Sequence, residues 1–144
     1  MATLVQLTVP MTENETIIEK PKHTVLVAED DEFLSRVLTD KLEKAGFAVV
    51  TAFDGEEAVS KMNAGGIDVM ILDIIMPKKT GFDVIDTLKN NSATKNIPII
   101  VLSNLGQDDD VKRAKEKGVN DYFVKANISL VSVVEMVNKC LQAA

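Results

Sequence analysis

The chain is poor in cysteine, histidine and aromatic residues. Its 144 residues include one cysteine, one histidine and no tryptophan, and aromatic side chains make up only 4%. A single cysteine, Cys140, cannot form an internal disulfide, so a disulfide-built scaffold is excluded. Cys140 falls on the apolar stripe of the last predicted helix, and we expect it to contribute by packing alone.

Long apolar runs and an excess of positive charge are also missing. No stretch approaches the ~20 apolar residues that span a bilayer, and residues 1–6 lack the basic and apolar regions of a signal peptide. The net charge of −6 argues against a surface made for nucleic-acid phosphates. Together these features predict a soluble protein of a reducing compartment, with a cytoplasmic location and no membrane partner.

The first 22 residues differ from the rest of the chain. They are polar around residues 12–16, they contain Pro10 and Pro21, and they show no sustained hydrophobic period. We predict a mostly disordered N-terminal extension over residues 1–22, although residues 4–9 could pair as an edge strand. Residues 23–144 are predicted to form one domain, because a chain that is 46% apolar can build one sizeable core.

From Thr24 onwards, strand-like and helix-like segments alternate. The apolar runs that predict strands are 25–28, 48–52, 69–72, 99–102 and 121–124. A helical period follows each of them, and the fourth helix is expected from about Asp108 to Lys117. This alternation predicts an α/β fold, a doubly wound five-stranded parallel sheet with five helices. Right-handed crossovers favour the strand order 2-1-3-4-5.

Polar side chains stand where the predicted strands end. Glu29 and Asp30 follow the first strand, Asp73 the third, Ser103 the fourth and Lys125 the fifth. Asp73 is the most informative, because an acid directly after a strand buried on both faces is costly to desolvate and adds nothing to a core. Since carboxyl ends of parallel strands meet at one sheet edge, acids on two of them suggest a divalent-cation site.

The chemistry of these residue types suits phosphate. An aspartate carboxylate is a weak nucleophile, but it can attack phosphorus and form an acyl phosphate. Clustered carboxylates repel one another, and a Mg²⁺ ion with its preference for oxygen ligands offsets that repulsion. The ammonium group of Lys125 can balance phosphoryl oxygens, and the hydroxyl of Ser103 can hydrogen-bond to them.

With these residues in this order, the chain resembles a receiver domain of the two-component response regulators. The resemblance covers about Thr24 to Leu141, and its fold is flavodoxin-like. The matching elements, each weak alone but specific in their joint order, are Glu29-Asp30, Asp73 within Leu-Asp-Ile-Ile-Met-Pro, Gly81, Ser103 after Ile-Val-Leu, Tyr122 and Lys125.

The resemblance implies that Asp73 accepts a phosphoryl group from a histidine kinase or a histidine phosphotransfer protein, with Ser103 and Lys125 as its catalytic partners. It also implies a Mg²⁺ ion whose ligands come from Asp30, Asp73, the backbone carbonyl of Ile75 and, through water, Glu29. We expect no enzymatic activity beyond self-phosphoryl transfer and slow autodephosphorylation.

The resemblance further implies an output by protein contact. Ser103 and Tyr122 correspond to the family's switch residues, and Tyr122 is expected to turn inward after phosphorylation. The face formed by the fourth helix, fifth strand and fifth helix would then change for a protein target. Because few residues follow the last helix, we expect a stand-alone regulator, a monomer or weak homodimer without a nucleic-acid partner. A receiver excised from a hybrid kinase is the alternative.

Two apolar residues bear on the lifetime of the phosphorylated state. Ile75 lies two residues after Asp73, and Leu105 lies two residues after Ser103. In the family these positions flank the path of the hydrolytic water. Because neither side chain can orient a water, we predict a long-lived phosphorylated state.

Departures from the family pattern leave other functions open. Ala126 follows Lys125 where most relatives have proline, and a cis bond without proline costs ~2.5–4 kcal/mol, so this loop is expected to run trans. Asn104 follows Ser103 where relatives prefer a small residue, which could restrict access for phosphodonors. Both departures support the alternative of a pseudo-receiver, an interaction module that works without phosphorylation.

Two enzyme or ligand-binding readings are weaker. A Mg²⁺-dependent phosphatase with an aspartyl nucleophile needs an acid where Ile75 stands, and a flavin or nucleotide binder needs a glycine-rich phosphate cradle that the sequence lacks. Three further polar sites are expected to be structural. Asp31 should cap the first helix, Asp108 to Asp110 should cap the fourth with a favourable dipole placement, and His23 should be an exposed bystander.

Overall fold

The computed structural model of the protein describes residues 21–142, in which five strands alternate with helices. The strands are β1 (Thr24–Ala28), β2 (Ala48–Ala52), β3 (Val69–Leu72), β4 (Ile99–Ser103) and β5 (Asp121–Val124). The helices are α1 (Glu32–Lys44), α2 (Gly55–Asn63), α3 (Gly81–Lys89), α4 (Asp108–Glu116) and α5 (Leu130–Gln142), and a 3₁₀ turn spans Lys125–Asn127. Most of the predicted N-terminal extension, with its edge strand at residues 4–9, lies outside the described residues.

The five strands form one parallel sheet in the order β2-β1-β3-β4-β5, which confirms the predicted topology. In the central pair, Ala28 of β1 stands in register with Leu72 of β3. The next residue continues this pairing, because the Asp73 amide donates a hydrogen bond to the Ala28 carbonyl at 3.0 Å. The chain therefore leaves both strands at the same level, and their following acids lie side by side.

Apolar side chains cover both faces of the sheet, because successive residues of a strand point to opposite sides. On one face Leu26 and Met70 pack among residues of α2, α3 and α4, and on the other Val25 and Ile71 pack among residues of α1 and α5. Cys140 is buried in the second of these clusters, as the sequence predicted. Full burial of each large aliphatic side chain contributes roughly 1.5–3 kcal/mol.

The predicted helix N-caps are right for α1 and wrong for α4. Asp31 caps α1, since its Oδ1 accepts hydrogen bonds from the amides of Phe33 at 2.9 Å and Leu34 at 3.2 Å. The cap predicted for α4 is wrong, because Gln107 holds the N-cap position and makes no side-chain cap bond. Asp108 to Asp110 instead form the first turn, where their charge still suits the helix dipole.

His23 lies just before β1, at the edge of the sheet opposite the acidic residues. Its side chain is about half-exposed, with Nδ1 3.8 Å from Asp68 Oδ2, so it has a partner that the sequence did not predict. Asp68 Oδ2 also accepts a hydrogen bond from the Thr24 amide at 2.8 Å, which ties the start of β1 to the start of β3. Among residues 21–142, no helix combines the length and apolar character needed to cross a membrane.

Candidate functional site

Three carboxylates converge at the carboxyl edge of the sheet. Oxygen atoms of Glu29, Asp30 and Asp73 all lie within 4.8 Å of one another. Glu29 is 2% exposed and Asp73 4% exposed, whereas Asp30 faces solvent. Two of the three acids are therefore buried and need compensating partners, since an unpaired buried charge is strongly unfavourable.

Lys125 supplies the compensating charge for both buried acids. Its Nζ lies 2.8 Å from Glu29 Oε1 and 2.9 Å from Asp73 Oδ2. The lysine begins the 3₁₀ turn that follows β5, and β4 separates β5 from β3 in the sheet. The long side chain of Lys125 thus crosses the sheet edge to reach the acids.

The second oxygen of each buried carboxylate is held by the main chain. Glu29 Oε2 accepts a hydrogen bond from the Asp31 amide at 3.0 Å, and Asp73 Oδ1 accepts one from the Ile75 amide at 3.3 Å. Each acid therefore points one oxygen at Lys125 and the other at a backbone amide. These two contacts fix the orientation of the Asp73 carboxylate.

Burial and charge pairing act in opposite directions on the pKa values of this site. Burial raises the pKa of Glu29, and the hydrogen bonds from Lys125 and from the Asp31 amide only partly oppose it. Burial alone would lower the pKa of Lys125, but the hydrogen bonds to Glu29 and Asp73 outweigh burial and raise it. Lys125 is consequently held as an ammonium.

The donor set fits a Mg²⁺ ion. Carboxylate oxygens are the ligands that Mg²⁺ prefers, and the ion usually keeps several waters besides one or two carboxylates. The acids line an open cleft of about 230 Å³, and a water occupies ~30 Å³ of liquid volume. The cleft therefore has room for a partly hydrated ion, and its lining comprises Glu29, Asp30, Asp31, Asp73, Ile75, Asn104 and Lys125.

The loop after β3 is held against Asp73 by a close backbone contact. The Gly81 amide donates a hydrogen bond to the Ile74 carbonyl at 2.7 Å. A Cβ atom at position 81 would lie 2.5 Å from the Asp73 carbonyl oxygen, so only glycine fits there. The contact places Ile75 beside the cleft, where it is 57% exposed.

Ser103 and Tyr122 meet at the backbone of Leu105. Ser103 is fully buried, and its Oγ accepts a hydrogen bond from the Leu105 amide at 3.3 Å. The Tyr122 hydroxyl donates a hydrogen bond to the Leu105 carbonyl. Burial raises the pKa of Tyr122, with a further contribution from Asp110, so its hydroxyl keeps the proton that it donates.

The ring of Tyr122 is buried, with 9% exposed. The expected inward turn after phosphorylation stays a prediction. The inward position satisfies both parts of this side chain, because the ring packs in the core and the hydroxyl has a carbonyl acceptor.

Sequence reasoning missed the part played by Leu105. Almost every residue has a backbone amide and a carbonyl, so the sequence could not indicate that those of Leu105 connect Ser103 and Tyr122. No cis peptide bond occurs in residues 21–142, which confirms that the chain runs trans at Ala126. Asn104 is exposed and lines the cleft, and its effect on phosphodonor access stays a prediction.

The comparison with known families identifies the class of protein. Residues 25–138 match the response regulator receiver domain family, and the chain belongs to that family. The fold and the carboxylate edge are those predicted from the strand–helix alternation and from the residues at the strand ends.

Particular relatives include full-length regulators. CpxR of Escherichia coli strain K12, a transcriptional regulatory protein, is 40% identical over 101 residues, which cover 70% of this chain and 42% of CpxR. The probable transcriptional regulator ycf27 of Guillardia theta is 39% identical over 104 residues, covering 72% of this chain and 40% of ycf27. The chain thus spans less than half the length of these relatives.

Solved receiver domains have the same fold. The receiver domain of the Francisella response regulator 1452 is 30% identical, with a TM-score of 0.79 over 85% of this chain and 98% of that one. The chemotaxis protein CheY4 of Vibrio cholerae is 27% identical, with a TM-score of 0.76 over 82% of this chain and 98% of that one.

Proposed function

We infer that this receiver accepts a phosphoryl group on Asp73 with the help of Mg²⁺. One observation supports this most directly: the Asp73 carboxylate lies in an open cleft, with Lys125 Nζ at 2.9 Å and two further acids within 4.8 Å. A purely structural acid would not need a cleft, and a purely structural ion pair would not need a third carboxylate.

The metal would be held by Asp30, Asp73 and the Ile75 carbonyl, with Glu29 acting through water. When bound, Mg²⁺ neutralises carboxylate charge and the charge on phosphate oxygens, which lowers the barrier to phosphoryl transfer. The exposed position of Asp30 supports this assignment, because an ion entering from solvent meets that acid first.

The chain's own residues then position the reaction. A carboxylate oxygen of Asp73 attacks the phosphorus of a phosphohistidine, the phosphorus–nitrogen bond breaks, and an acyl phosphate forms on Asp73. Lys125 Nζ can exchange its bond with the Asp73 carboxylate for one with a phosphoryl oxygen, since both are anionic acceptors. The Ser103 hydroxyl can donate to another phosphoryl oxygen once it rotates away from the Leu105 amide.

The path from site to surface runs through Leu105. A phosphoryl group adds nearly two negative charges, which attract the Ser103 hydroxyl. Because Ser103 Oγ is bonded to the Leu105 amide and Tyr122 to its carbonyl, a shift of Ser103 disturbs the loop that leads into α4. The face of α4, β5 and α5 would change with it, and a protein target would detect that change.

The phosphodonor in this proposal is a histidine kinase or a histidine phosphotransfer protein. The named relatives are transcriptional regulators that extend well beyond the matched region. The absence of a nucleic-acid partner, the monomeric or weakly dimeric state and the cytoplasmic location therefore remain predictions for this chain, as does the absence of activity beyond self-phosphoryl transfer.

Phosphorylation by acetyl phosphate and Mg²⁺, followed by intact mass, tests the proposal. We expect one phosphoryl adduct on the wild-type chain, which disappears when EDTA removes Mg²⁺ and in the Asp73→Asn variant. Asp40→Asn is the matched control, since Asp40 is an exposed acid on α1 whose ion-pair partner within residues 21–142 is Lys44 of the same helix. This control should be labelled like the wild type.

A pseudo-receiver is the second candidate, and the position of Asn104 in the cleft favours it. In that case neither acetyl phosphate nor beryllofluoride would modify or bind the wild-type chain. Such a result would contradict the phosphoacceptor proposal and leave the chain as an interaction module that works without phosphorylation.

A further inference from the structure

A mainly apolar groove lies between α1 and α5, away from the acidic cleft. Its volume is about 270 Å³, and Lys41, Lys44, Ala45, Val131, Val134 and Glu135 line it. Val131 is 54% exposed, one of the few large apolar side chains left open to solvent among the described residues. These groove residues lie beside the stripe of α5 that packs on the sheet through Val133 and Val137.

A second hollow continues this groove towards the start of the described chain. It also has a volume of about 270 Å³, it shares Ala45 with the first groove, and Pro21, Phe47 and Asn138 are among its lining residues. The two hollows together follow α5 from Asn138 to Val131, a distance of roughly 10 Å at ~1.5 Å per helical residue. The chain that precedes Pro21 therefore begins beside the second hollow, which adjoins the first groove at Ala45.

The sequence just before Pro21 has the composition to occupy this groove. It carries two adjacent isoleucines, and its charged residues are three glutamates and one lysine: Glu13, Glu15, Ile17, Ile18, Glu19 and Lys20. An extended chain advances ~3.3 Å per residue, so about three residues cover the 10 Å. Ile17 and Ile18 stand four and three residues before Pro21, which is the spacing needed to reach Val131 and Val134.

The charges of the groove complement those of this segment. The groove has two lysines and one glutamate, whereas the segment has an excess of two negative charges from three glutamates and one lysine. Among residues 21–142, Lys44 pairs with Asp40 at 3.1 Å, but no carboxylate lies within 4.0 Å of Lys41 Nζ. Lys41 therefore has an ammonium group to offer an incoming glutamate.

We propose that residues 13–20 bind along the α1–α5 groove of the same molecule. Ile17 or Ile18 covers Val131 and Val134, and glutamates of the segment lie beside Lys41 and Lys44. This strap goes beyond the proposed phosphoacceptor function and replaces the disorder predicted for that part of the extension. It covers an apolar surface on one side of α5 while leaving α4 free for a partner.

Methyl NMR on the full chain tests the proposal directly. With isoleucine and valine methyl groups labelled, we expect nuclear Overhauser cross-peaks from Ile17 or Ile18 to Val131 or Val134. The double variant Ile17→Asp with Ile18→Asp should lose these cross-peaks and shift the Val131 and Val134 methyl signals. The matched control, Val5→Asp with Leu7→Asp, makes the same chemical change farther from Pro21 and should preserve them.

The charge contribution has its own pair of variants. Lys41→Glu with Lys44→Glu should weaken the cross-peaks, whereas Lys112→Glu with Lys115→Glu, the same change on α4, should leave them intact. Equal intensity in both variants would overturn the charge complementarity.

Two outcomes would overturn the strap itself. One is the absence of cross-peaks together with unchanged Val131 and Val134 signals in the isoleucine variant. The other is a mixed sample of differently labelled chains in which the cross-peaks arise only between molecules, because a second copy would then be the occupant. Neither NMR measurement depends on phosphorylation of Asp73. A negative result for the strap would therefore leave the proposed phosphoacceptor function untouched.

Discussion

The two halves of the carboxyl edge of the sheet are built from different kinds of bond. The acceptor side consists of the acids Glu29, Asp30 and Asp73 after β1 and β3, of which Lys125 and backbone amides hold Glu29 and Asp73 in place. The relay side, Ser103, Leu105 and Tyr122 around β4 and β5, consists of uncharged hydroxyls that meet at one backbone segment. Both sides are largely buried, yet the forces that hold them differ in size.

That difference separates a fixed site from a movable one. Removing one partner of a buried ion pair costs ~3–5 kcal/mol, whereas a neutral hydrogen bond contributes ~0.5–1.5 kcal/mol. If Asp73 is phosphorylated as proposed, we expect the added charge to rearrange the weakly held relay side. We expect the acceptor side to keep its geometry, because Lys125 would exchange one anionic partner for another.

The largest effect is expected from Lys125→Ala. Without the lysine, two buried carboxylates lose their shared counter-charge, so the free energy of unfolding without Mg²⁺ should fall by ~3 kcal/mol. Phosphorylation by acetyl phosphate should also fall sharply. Because the ammonium no longer competes for Asp73, Mg²⁺ should bind more tightly and restore part of the stability. Urea unfolding with and without Mg²⁺ measures both effects.

Lys112→Ala controls for the loss of a lysine, since Lys112 is exposed on α4. It should change neither the unfolding free energy nor its response to Mg²⁺. If Lys125→Ala behaved like this control, the acceptor side would not depend on charge pairing, and the contrast between the two sides would disappear.

An intermediate effect is expected at Ile75 and Leu105. Ile75→Asn places a polar group in the cleft, where it can orient a water, and should shorten the lifetime of phosphorylated Asp73 about tenfold, or ~1.4 kcal/mol of barrier. Leu105→Asn should act in the same direction, but Leu105 packs against the core, so its change also strains the relay side. The decay of the phosphorylated mass over time measures both.

Val131→Asn is the control for this pair, because Val131 on α5 is 54% exposed, close to the 57% of Ile75. It should leave the lifetime unchanged. Unchanged or slower decay in the Ile75 and Leu105 variants would contradict the idea that apolar residues here protect the phosphoryl group.

The smallest effect is expected from Tyr122→Phe, which removes only the hydrogen bond to the Leu105 carbonyl. The unfolding free energy should fall by ~1 kcal/mol, and labelling of Asp73 should be unaffected. Tyr122→Ala also leaves a cavity, and it should weaken binding of a partner that distinguishes the phosphorylated state. Hydrogen exchange of α4 with and without beryllofluoride measures this coupling.

Phe123→Ala is the control for Tyr122→Ala, because Phe123 packs on the opposite face of the sheet. It should destabilise the domain without reducing the response of α4 to beryllofluoride. An α4 response that survives Tyr122→Ala at full size would show that the relay does not pass through Tyr122.

Much of the site could be predicted from local sequence patterns. The apolar runs end at Glu29, Asp73 and Lys125, and parallel strands bring their carboxyl ends to one edge, so the convergence of these residues follows from strand order. The cap at Asp31 was equally local, because an aspartate bonds to amides two and three residues further along. Such features depend on neighbours in sequence or on one topological rule.

Other features needed three-dimensional distances. No sequence pattern shows that Lys125 bridges Glu29 and Asp73, because these partners lie 96 and 52 residues before it in the chain. The hydrogen bond from the Tyr122 hydroxyl was not predicted for the same reason, since its acceptor is a backbone carbonyl 17 residues away.

The sequence by itself determined the α/β alternation, the order of the strands and the residue types at the carboxyl edge, because these follow from hydrophobic period and strand connection. Only the tertiary structure decided which oxygen each donor binds, that Tyr122 is buried with its hydroxyl on the Leu105 carbonyl, and that α1 and α5 leave a groove beside Pro21. Those outcomes depend on close packing between segments that are distant in sequence, and the sequence pattern alone does not give the distances between their atoms.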